Sequence, residues 1–343
     1  MMSAKPNSPD DEMISNLSLE QLDIERPVLI DRLQQHISML SQHFVDRKEV
    51  IELAVLCAML GEPLLLLGPP GTGKSLLCSR LSESFHLTPQ ERFEYLLTPF
   101  TEPSELFGPI DLSALKEGRF IRRHQGSLPH AKVAFLDEIF RANSAILNAL
   151  LSLLNDRIYY EEGQPKPASL DFFFAATNQL PTDQSLLALS DRFVLKVPVE
   201  NTHGHQWHNL LTRGLDIEGQ KVTGATPWRN GPASHIDLLK LRRFLRLSFA
   251  REAEDITLRD YFFPPPLMLE FQRLVTALEL DMGLYISDRK LIKMYQFIRG
   301  MSLIRGRSIV QIQDLDLLRF ITQRPGEQDL IYEYVSRILG ELS

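Results

Sequence analysis

Apolar residues follow two alternating patterns along the first two hundred positions of the chain. Between residues 29 and 40, and again between 50 and 56, they recur every three or four positions, which predicts helices. Short, mostly apolar runs predict buried strands at 63–67, 93–97, 133–136, 170–175 and 193–197. Helical stretches at 75–85 and 145–154 lie between these runs, so the pattern predicts an α/β fold with a parallel sheet.

The rest of the chain divides into regions by composition. Residues 1–25 are predicted to be a flexible or disordered tail, because the first sixteen are rich in Ser, Pro, Asp and Asn. The α/β domain then covers 26–200, and residues 201–234, with five Gly and two Pro, are predicted to be a linker. Residues 235–343 are predicted to form an all-helical domain, with helices at 235–249, 267–279, 288–301 and 312–320. Two short segments, 120–123 and 158–160, are predicted to be hairpin arms inserted into the α/β domain.

Composition and charge narrow the class of protein. The formal net charge of −7 argues against a general role on nucleic acid, which favours a basic face. Cys57 and Cys78 lie in apolar helical stretches and are predicted to be buried thiols, so we expect no disulfide framework and no zinc site. No apolar run is long enough to span a bilayer, and the polar N-terminus has no secretory signal, so we expect a cytoplasmic protein without membrane insertion.

A glycine-rich motif follows the first predicted strand. Residues 68–75 read G-P-P-G-T-G-K-S, which matches the phosphate-binding pattern G-x-x-x-x-G-K-[ST]. Glycines let the backbone wrap a phosphate with its N–H groups, and the following helix presents its positive end. Lys74 would place its charge at the β- and γ-phosphates, and the Ser75 hydroxyl would reach Mg²⁺. We therefore predict that ATP or ADP binds to Gly68, Pro69, Pro70, Gly71, Thr72, Gly73, Lys74, Ser75 and Leu76.

Polar side chains follow two later strands. Asp137 is predicted to hold Mg²⁺ together with Ser75, and Glu138 to polarise the attacking water. An apolar strand capped by two solvated carboxylates would produce the same pattern. Asn178 could hydrogen-bond the water or the γ-phosphate, or it could simply form a turn before Leu180. The catalytic interpretation is favoured for Asp137 and Glu138 because they follow Lys74 at a suitable position in the α/β pattern, and for Asn178 because adjacent parallel strands present their carboxyl ends to one crevice.

Two arginines are candidates for contacts to phosphate. Arg192 lies in the sequence L-S-D-R-F before the last predicted strand, where a surface ion pair with Asp191 is the simpler interpretation. Arg289 lies in the sequence S-D-R-K, at the start of a predicted helix with Ser287 or Asp288 as its N-cap. A capping role for this segment is compatible with a phosphate contact by Arg289.

The chain resembles the AAA+ ATPases, and specifically the MoxR group, over about residues 30–320. Besides the motifs above, in their order, the resemblance rests on T-E-P-S-E-L-F-G at 101–108, L-D-E-I-F-R-A at 136–142 and R-G-R-S-I-V at 305–310. Four segments are most similar to the RavA-type members: F-E-Y-L at 93–96, F-G-P at 107–109, A-I-L-N at 145–148 and S-D-R at 287–289. The resemblance implies a five-stranded sheet of order 5-1-4-3-2 and a C-terminal helical lid.

The same resemblance implies roles for the candidate residues. Asn178 is similar to the sensor-1 residue, Arg289 to the sensor-2 arginine of the lid, and Arg192 to the arginine finger that reaches ATP in a neighbouring subunit. The hairpin arms resemble the helix-2 and pre-sensor-1 inserts, which in the family face a ring pore or a partner. The expected protein is a hexameric, chaperone-like ATPase ring that remodels or matures a protein client, with a von Willebrand factor A domain protein as the candidate partner.

Several alternatives stay open at this level. A nucleotide-switched oligomeric scaffold with slow turnover would need the same residues, whereas the acidic charge disfavours a DNA translocase. His203, His205 and His208 could bind a metal, although solvated loop histidines are the simpler interpretation. Arg141 and Arg157 could add charge to a subunit interface, but surface ion pairs are simpler. RavA-type proteins recruit their partner through a further C-terminal region, and this chain stops soon after the expected lid, so the resemblance does not transfer a partner's identity.

Overall fold

The computed structural model describes residues 9–202 and 206–342. Its strands are β1 (Leu64–Leu67), β2 (Arg92–Leu96), β3 (Val133–Asp137), β4 (Ile158–Glu161), β5 (Gln164–Pro167), β6 (Phe172–Thr177) and β7 (Leu195–Pro198). Its α-helices are α1 (Pro9–Ser15), α2 (Leu19–Ser41), α3 (Lys48–Leu60), α4 (Lys74–Ser84), α5 (Pro103–Phe107), α6 (Leu112–Lys116), α7 (Ser144–Asp156), α8 (Gln184–Ser190), α9 (Trp207–Thr223), α10 (His235–Glu254), α11 (Ile256–Phe262), α12 (Pro265–Met282), α13 (Asp288–Ile304) and α14 (Gln328–Leu342). None of the helices described is both long and apolar enough to cross a membrane.

The main sheet is parallel and has the strand order β2-β3-β6-β1-β7. Leu64 of β1 is aligned with Phe174 of β6 on one side and with Leu195 of β7 on the other, so β1 is an inner strand. Every residue of β1 and β6 is buried, which explains why both appear in the sequence as continuous apolar runs. Numbered along the chain, the five strands have the order 5-1-4-3-2, which confirms the predicted fold.

The two faces of this sheet pack against different helices. Leu64 belongs to a core shared with α3 and with the C-terminal helices, whereas its neighbour Leu65 belongs to a second core shared with Leu150 of α7. Successive residues of a strand point to opposite faces, so one strand contributes to both cores. Cys57 and Cys78 are buried free thiols in the first core, as predicted.

The expected N-terminal tail is wrong from residue 9 onward, where the structure has α1 and α2. Ser18 and Gln21 form a reciprocal capping box at the start of α2, which satisfies backbone N–H groups that the helix leaves unpaired. Ile14 of α1 is buried, and Leu22 and Leu29 of α2 are fully buried or nearly so. Composition alone therefore failed to predict α2, a capped helix whose apolar face is covered by α10.

The expected linker at 201–234 also differs from the structure, because it contains the 17-residue helix α9. Gln220 of α9 accepts a hydrogen bond from Arg80 of α4 at 3.1 Å, and Trp228 donates to Glu83 of α4 at 2.6 Å. The Arg80 guanidinium also lies 4.0 Å from the centre of the Trp228 ring. These contacts attach α9 and the following turn to the helix that begins at the glycine-rich loop, and they offset the poor helix propensity of two internal glycines.

The C-terminal region is helical, as predicted. Residues 235–249, 267–279 and 288–301 lie in α10, α12 and α13, and residues Ile312–Phe320 form a 3-10 helix before α14. Helix α13 packs on α3 of the α/β region so closely that a Cβ on Gly300 would lie 2.8 Å from Leu56. The helical region is thus packed directly onto the α/β region.

The two predicted hairpin arms lie side by side. Residues 158–160 are in β4, which pairs with β5, while 120–123 contributes an isolated bridge between residues 110 and 122. Glu161 of β4 accepts a hydrogen bond from the Arg122 backbone at 3.3 Å, and its Oε1 lies 2.7 Å from His124 Nε2. One carboxylate therefore joins the two inserted segments.

Candidate nucleotide site

The loop of residues 68–75 connects β1 to α4 and requires glycine at three positions. A Cβ on Gly68 would lie 2.2 Å from the carbonyl oxygen of Val199, so the chain can pass here only without a side chain. Gly71 and Gly73 both have a φ of +83°, in the left-handed region that glycine favours. This backbone shape, followed at once by the N-terminus of α4, is that of a phosphate-binding loop.

Lys74 lies inside this loop and is only 6% exposed. Its Nζ donates to the carbonyl oxygens of Gly68 at 2.7 Å and Pro69 at 2.9 Å, and lies 3.5 Å from Asn178 Oδ1. Burial lowers the pKa of Lys74, while the charges of Asp137 and Glu138 act in the opposite direction. Around the lysine, the loop surface is exposed at positions 69–71, 73, 75 and 76, where a ligand could reach it.

Ser75 and Asp137 form the oxygen pair that the sequence predicts. Ser75 Oγ donates to Asp137 Oδ2 at 2.7 Å, and the other carboxylate oxygen accepts the Glu138 backbone N–H at 2.9 Å. Hydroxyl and carboxylate oxygens are ligands that Mg²⁺ prefers. The donor set thus fits a magnesium ion shared with phosphate.

Glu138 and Asn178 come together across neighbouring strands. Glu138 has a φ of +53°, a left-handed conformation that is uncommon for a residue with a side chain. Asn178 Nδ2 donates to Glu138 Oε1 at 2.5 Å, and Arg141 Nε lies 3.5 Å from Glu138 Oε2. Strained residues of this kind are found often at functional sites, and the contact joins the two polar residues that follow β3 and β6.

Arg192 and Arg289 are the chain neighbours of two residues that form an ion pair with each other. The sequence suggested a pair between Arg192 and Asp191, but Asp191 Oδ1 is instead 2.6 Å from Lys290 Nζ. Among the residues that the structure describes, neither Arg192 nor Arg289 hydrogen-bonds to the loop at 68–75. Arg192 Nε and Arg289 Nη1 are buried and have no hydrogen-bond partner in the described part of the chain. Ser287 accepts from the Lys290 backbone at 3.4 Å and so caps α13, as predicted.

Other candidate residues have different surroundings. His203 and His205 lie outside the described residues, and His208 is exposed on α9. Arg141 forms an ion pair with Glu138, with 62% of its side chain exposed. Arg157 is not a surface ion pair, because its Nη2 donates to the carbonyl oxygen of Gly61 at 2.6 Å. Sequence reasoning missed Lys290, whose place in S-D-R-K gave no sign of its distant partner.

Two family models match the chain. A model described as the MoxR domain in MoxR-vWA-beta-propeller ternary systems matches residues 31–236, and a model described as an AAA lid domain matches residues 268–335. The first match includes the loop at 68–75 together with Asp137, Glu138, Asn178 and Arg192. The second match includes Arg289.

Relatives and a solved structure agree with these matches. Uncharacterized protein MJ0812 of Methanocaldococcus jannaschii is 32% identical over 283 residues, 82% of this chain and 69% of that protein. Uncharacterized protein MJ0079 of the same organism is 32% identical over 316 residues, 92% of this chain and 75% of that protein. A crystal structure of a candidate ATPase from Cytophaga hutchinsonii has a TM-score of 0.69 and 18% identity, covering 93% of this chain and 97% of that one, which shows the same fold.

Proposed function

Because the chain belongs to the MoxR group of AAA+ ATPases, we propose that it binds and hydrolyses ATP at the site around residues 68–76. The observation that carries this proposal is the series of contacts from Lys74 through Asn178 to Glu138, beside the contact between Ser75 and Asp137. One cluster offers a cation for phosphate, two oxygens for a metal and a carboxylate for water. Phosphoryl transfer to water requires these parts.

The residues present fit ATP and Mg²⁺. The backbone of residues 68–76 would hold the phosphates, and Lys74 Nζ would exchange its bonds to two carbonyl oxygens for bonds to phosphate oxygens. Ser75 Oγ and Asp137 Oδ2, which lie 2.7 Å apart, would hold the ion. Bound there, Mg²⁺ would neutralise charge on the β- and γ-phosphates.

Glu138 is the proposed base, which orients the attacking water and accepts its proton. The hydrogen bond from Asn178 Nδ2 holds one oxygen of the carboxylate, and the second oxygen lies 3.5 Å from Arg141 Nε. Asn178 also lies 3.5 Å from Lys74 Nζ, so this one amide is linked both to the base and to the phosphate-binding lysine. We expect it to hold the two at a fixed separation.

Arg192 and Arg289 are proposed to act on the ATP of a neighbouring copy. Among the described residues neither arginine hydrogen-bonds to the loop at 68–75 of its own copy, which supports a role at the site of the next copy. A contact in which the arginines of one copy face the loop of the next is heterologous, and such contacts form a ring when the rotation between copies closes. We propose a hexameric ring in the cytoplasm.

The proposed work of this ring is to remodel, mature or chaperone a protein client. The description of the matched MoxR model names vWA and β-propeller partners, which supports a von Willebrand factor A domain protein as the client. The acidic net charge supports a protein over a nucleic acid.

Glu138→Gln tests the hydrolytic site directly. The variant should bind ATP and assemble as the wild type does, while turnover falls by roughly 10²- to 10⁴-fold because the base is lost. Glu279→Gln, an exposed change on α12, serves as the matched control. ATPase activity, nucleotide binding and particle mass are measured on all three proteins.

A wild type that binds ATP and assembles but never turns it over would support the scaffold alternative instead. Stimulation of hydrolysis by DNA, lost at high salt, would support the translocase. Specific activity should also increase with protein concentration, because the site is shared; a monomer with full activity would refute the shared site.

A further inference from the structure

An ion pair between the α/β region and the helical region lies beside both candidate arginines. Lys290 Nζ, on the first turn of α13, is 2.6 Å from Asp191 Oδ1, in the turn before β7. The Lys290 side chain is 5% exposed and that of Asp191 is 43% exposed. A largely buried ammonium group holds its carboxylate more firmly than an exposed one, because water competes less.

Each member of the pair is the chain neighbour of one arginine. Asp191 directly precedes Arg192, and Lys290 directly follows Arg289. The backbone on the first side is well fixed, since the Asp191 N–H donates to Leu187 at 2.8 Å and the Arg192 N–H to Leu189 at 3.1 Å. The pair therefore links the two chain segments that carry these arginines, which are 97 positions apart in sequence.

Each arginine has one buried guanidinium nitrogen that no described residue holds. Arg192 Nε and Arg289 Nη1 are buried and make no hydrogen bond within the described residues. Lys196 on β7 provides a second link to the helical region, through Thr322 O at 2.7 Å, but it has no carboxylate within ion-pair distance in the part described. The ionic link beside the arginines is thus Asp191 with Lys290.

We propose that Asp191 and Lys290 are positioning residues, whose ion pair holds Arg192 and Arg289 together as one unit directed at the ATP of a neighbouring copy. This inference rests on the proposed ATPase function. Neither member of the pair needs to touch the nucleotide. Their effect arises because a displacement of about 1 Å in a group that contacts the transition state costs roughly 10²-fold in rate.

Lys290→Met removes the charge and preserves most of the side-chain volume. We expect kcat to fall by roughly 10²-fold, with the KM for ATP nearly unchanged, because the loop at 68–75 still holds the substrate. Lys293→Met is the matched control: Lys293 lies one turn along the same helix and pairs with Glu62 of the α/β region instead of Asp191. The control should keep the wild-type kcat.

Two further measurements separate positioning from general stabilisation. The double variant Asp191→Lys with Lys290→Asp restores the pair with reversed charges and should recover much of the lost kcat. A mixture of the Lys290→Met and Glu138→Gln proteins should also regain activity. In a mixed assembly, a Lys290→Met copy supplies an intact loop and an intact Glu138, and a neighbouring Glu138→Gln copy supplies correctly positioned arginines.

The outcomes distinguish failure of the positioning role from failure of the proposed ATPase function. A wild-type kcat in Lys290→Met, equal losses in Lys290→Met and Lys293→Met, or no regain on mixing would overturn the positioning role while leaving the ATPase assignment intact. A wild type without turnover would overturn both. Asp191→Asn provides a second variant, and it should reproduce the loss of kcat seen with Lys290→Met.

Discussion

Lys196 predicts a dependence of stability on pH that one substitution should remove. It is 2% exposed on β7, and its Nζ donates to the carbonyl oxygen of Thr322. Burial, followed by the charge of Lys290, lowers the pKa of Lys196 to about 7, although Asp191 and Glu327 act in the opposite direction. The folded protein therefore releases this proton far below the ordinary lysine pKa of 10.5.

The size of the effect follows from the difference between the folded and unfolded states. Between pH 7 and 10.5 the unfolded chain binds a proton at Lys196 that the folded protein does not, so the free energy of unfolding increases with pH in this window. The lowering of the Lys196 pKa from 10.5 to about 7 corresponds to roughly 5 kcal/mol in the free energy of unfolding, or about 1.4 kcal/mol per pH unit. Below pH 7 the whole penalty is present. Lys196→Met should remove this penalty and so increase the free energy of unfolding near pH 7. The increase should be smaller by about 1 kcal/mol, because the variant loses the hydrogen bond to Thr322.

Urea unfolding of the wild type and Lys196→Met, followed by circular dichroism, measures this difference. The variant should be the more stable protein near pH 7, and its advantage should shrink by roughly 3 kcal/mol by about pH 9.5. Lys116→Met, at an exposed position on α6, controls for the loss of one lysine. Equal pH dependence in the wild type and Lys196→Met would refute the reasoning, whatever their absolute stabilities.

Three shorter predictions concern the loop, the base and the inserts. Gly68→Ala should destabilise the protein by about 1–3 kcal/mol and abolish binding of a fluorescent ATP analogue, because its Cβ would lie 2.2 Å from the Val199 carbonyl oxygen. As the control for Gly68→Ala, Gly214→Ala on α9 should raise the melting temperature, because a Cβ there would meet nothing and alanine favours a helix more than glycine does. Asn178→Ala should lower kcat by roughly 10²-fold in a steady-state assay, with ATP still bound, since Glu138 loses the amide that holds it. Glu161→Ala should speed hydrogen exchange of residue 122, whose backbone N–H it accepts; unchanged exchange would refute that link.

Local patterns were sufficient for the sheet and for the loop. The strand β1 is buried on both faces, so burial alone demands an apolar run, and the turn into α4 demands Gly71 and Gly73 because of their positive φ. Both requirements act within a few residues and leave a direct record in the sequence. The strand order, by contrast, came from the resemblance, since pairing between strands is a property of the whole chain.

The errors have a common physical cause. The first residues and the segment at 201–234 were judged by composition, but α2 owes its start to the Ser18 capping box, and α9 is attached through Gln220 to Arg80. The left-handed backbone of Glu138 and its contact with Asn178 are likewise set by tertiary packing. Propensity and composition are weak wherever a distant partner decides the conformation.

The contacts between the helical region and the α/β region bear on where movement can occur. Lys290 pairs with Asp191, and Lys293 pairs with Glu62. Farther along the same helix, α13 packs closely on α3 at Gly300. Opening the two regions within one copy would break both ion pairs and the packing at Gly300 together, so we expect it to be costly. Movement between copies would break none of these contacts. Nucleotide-dependent change is therefore expected at the proposed junction, where the arginines of one copy would face the loop of the next, with each copy moving as a unit.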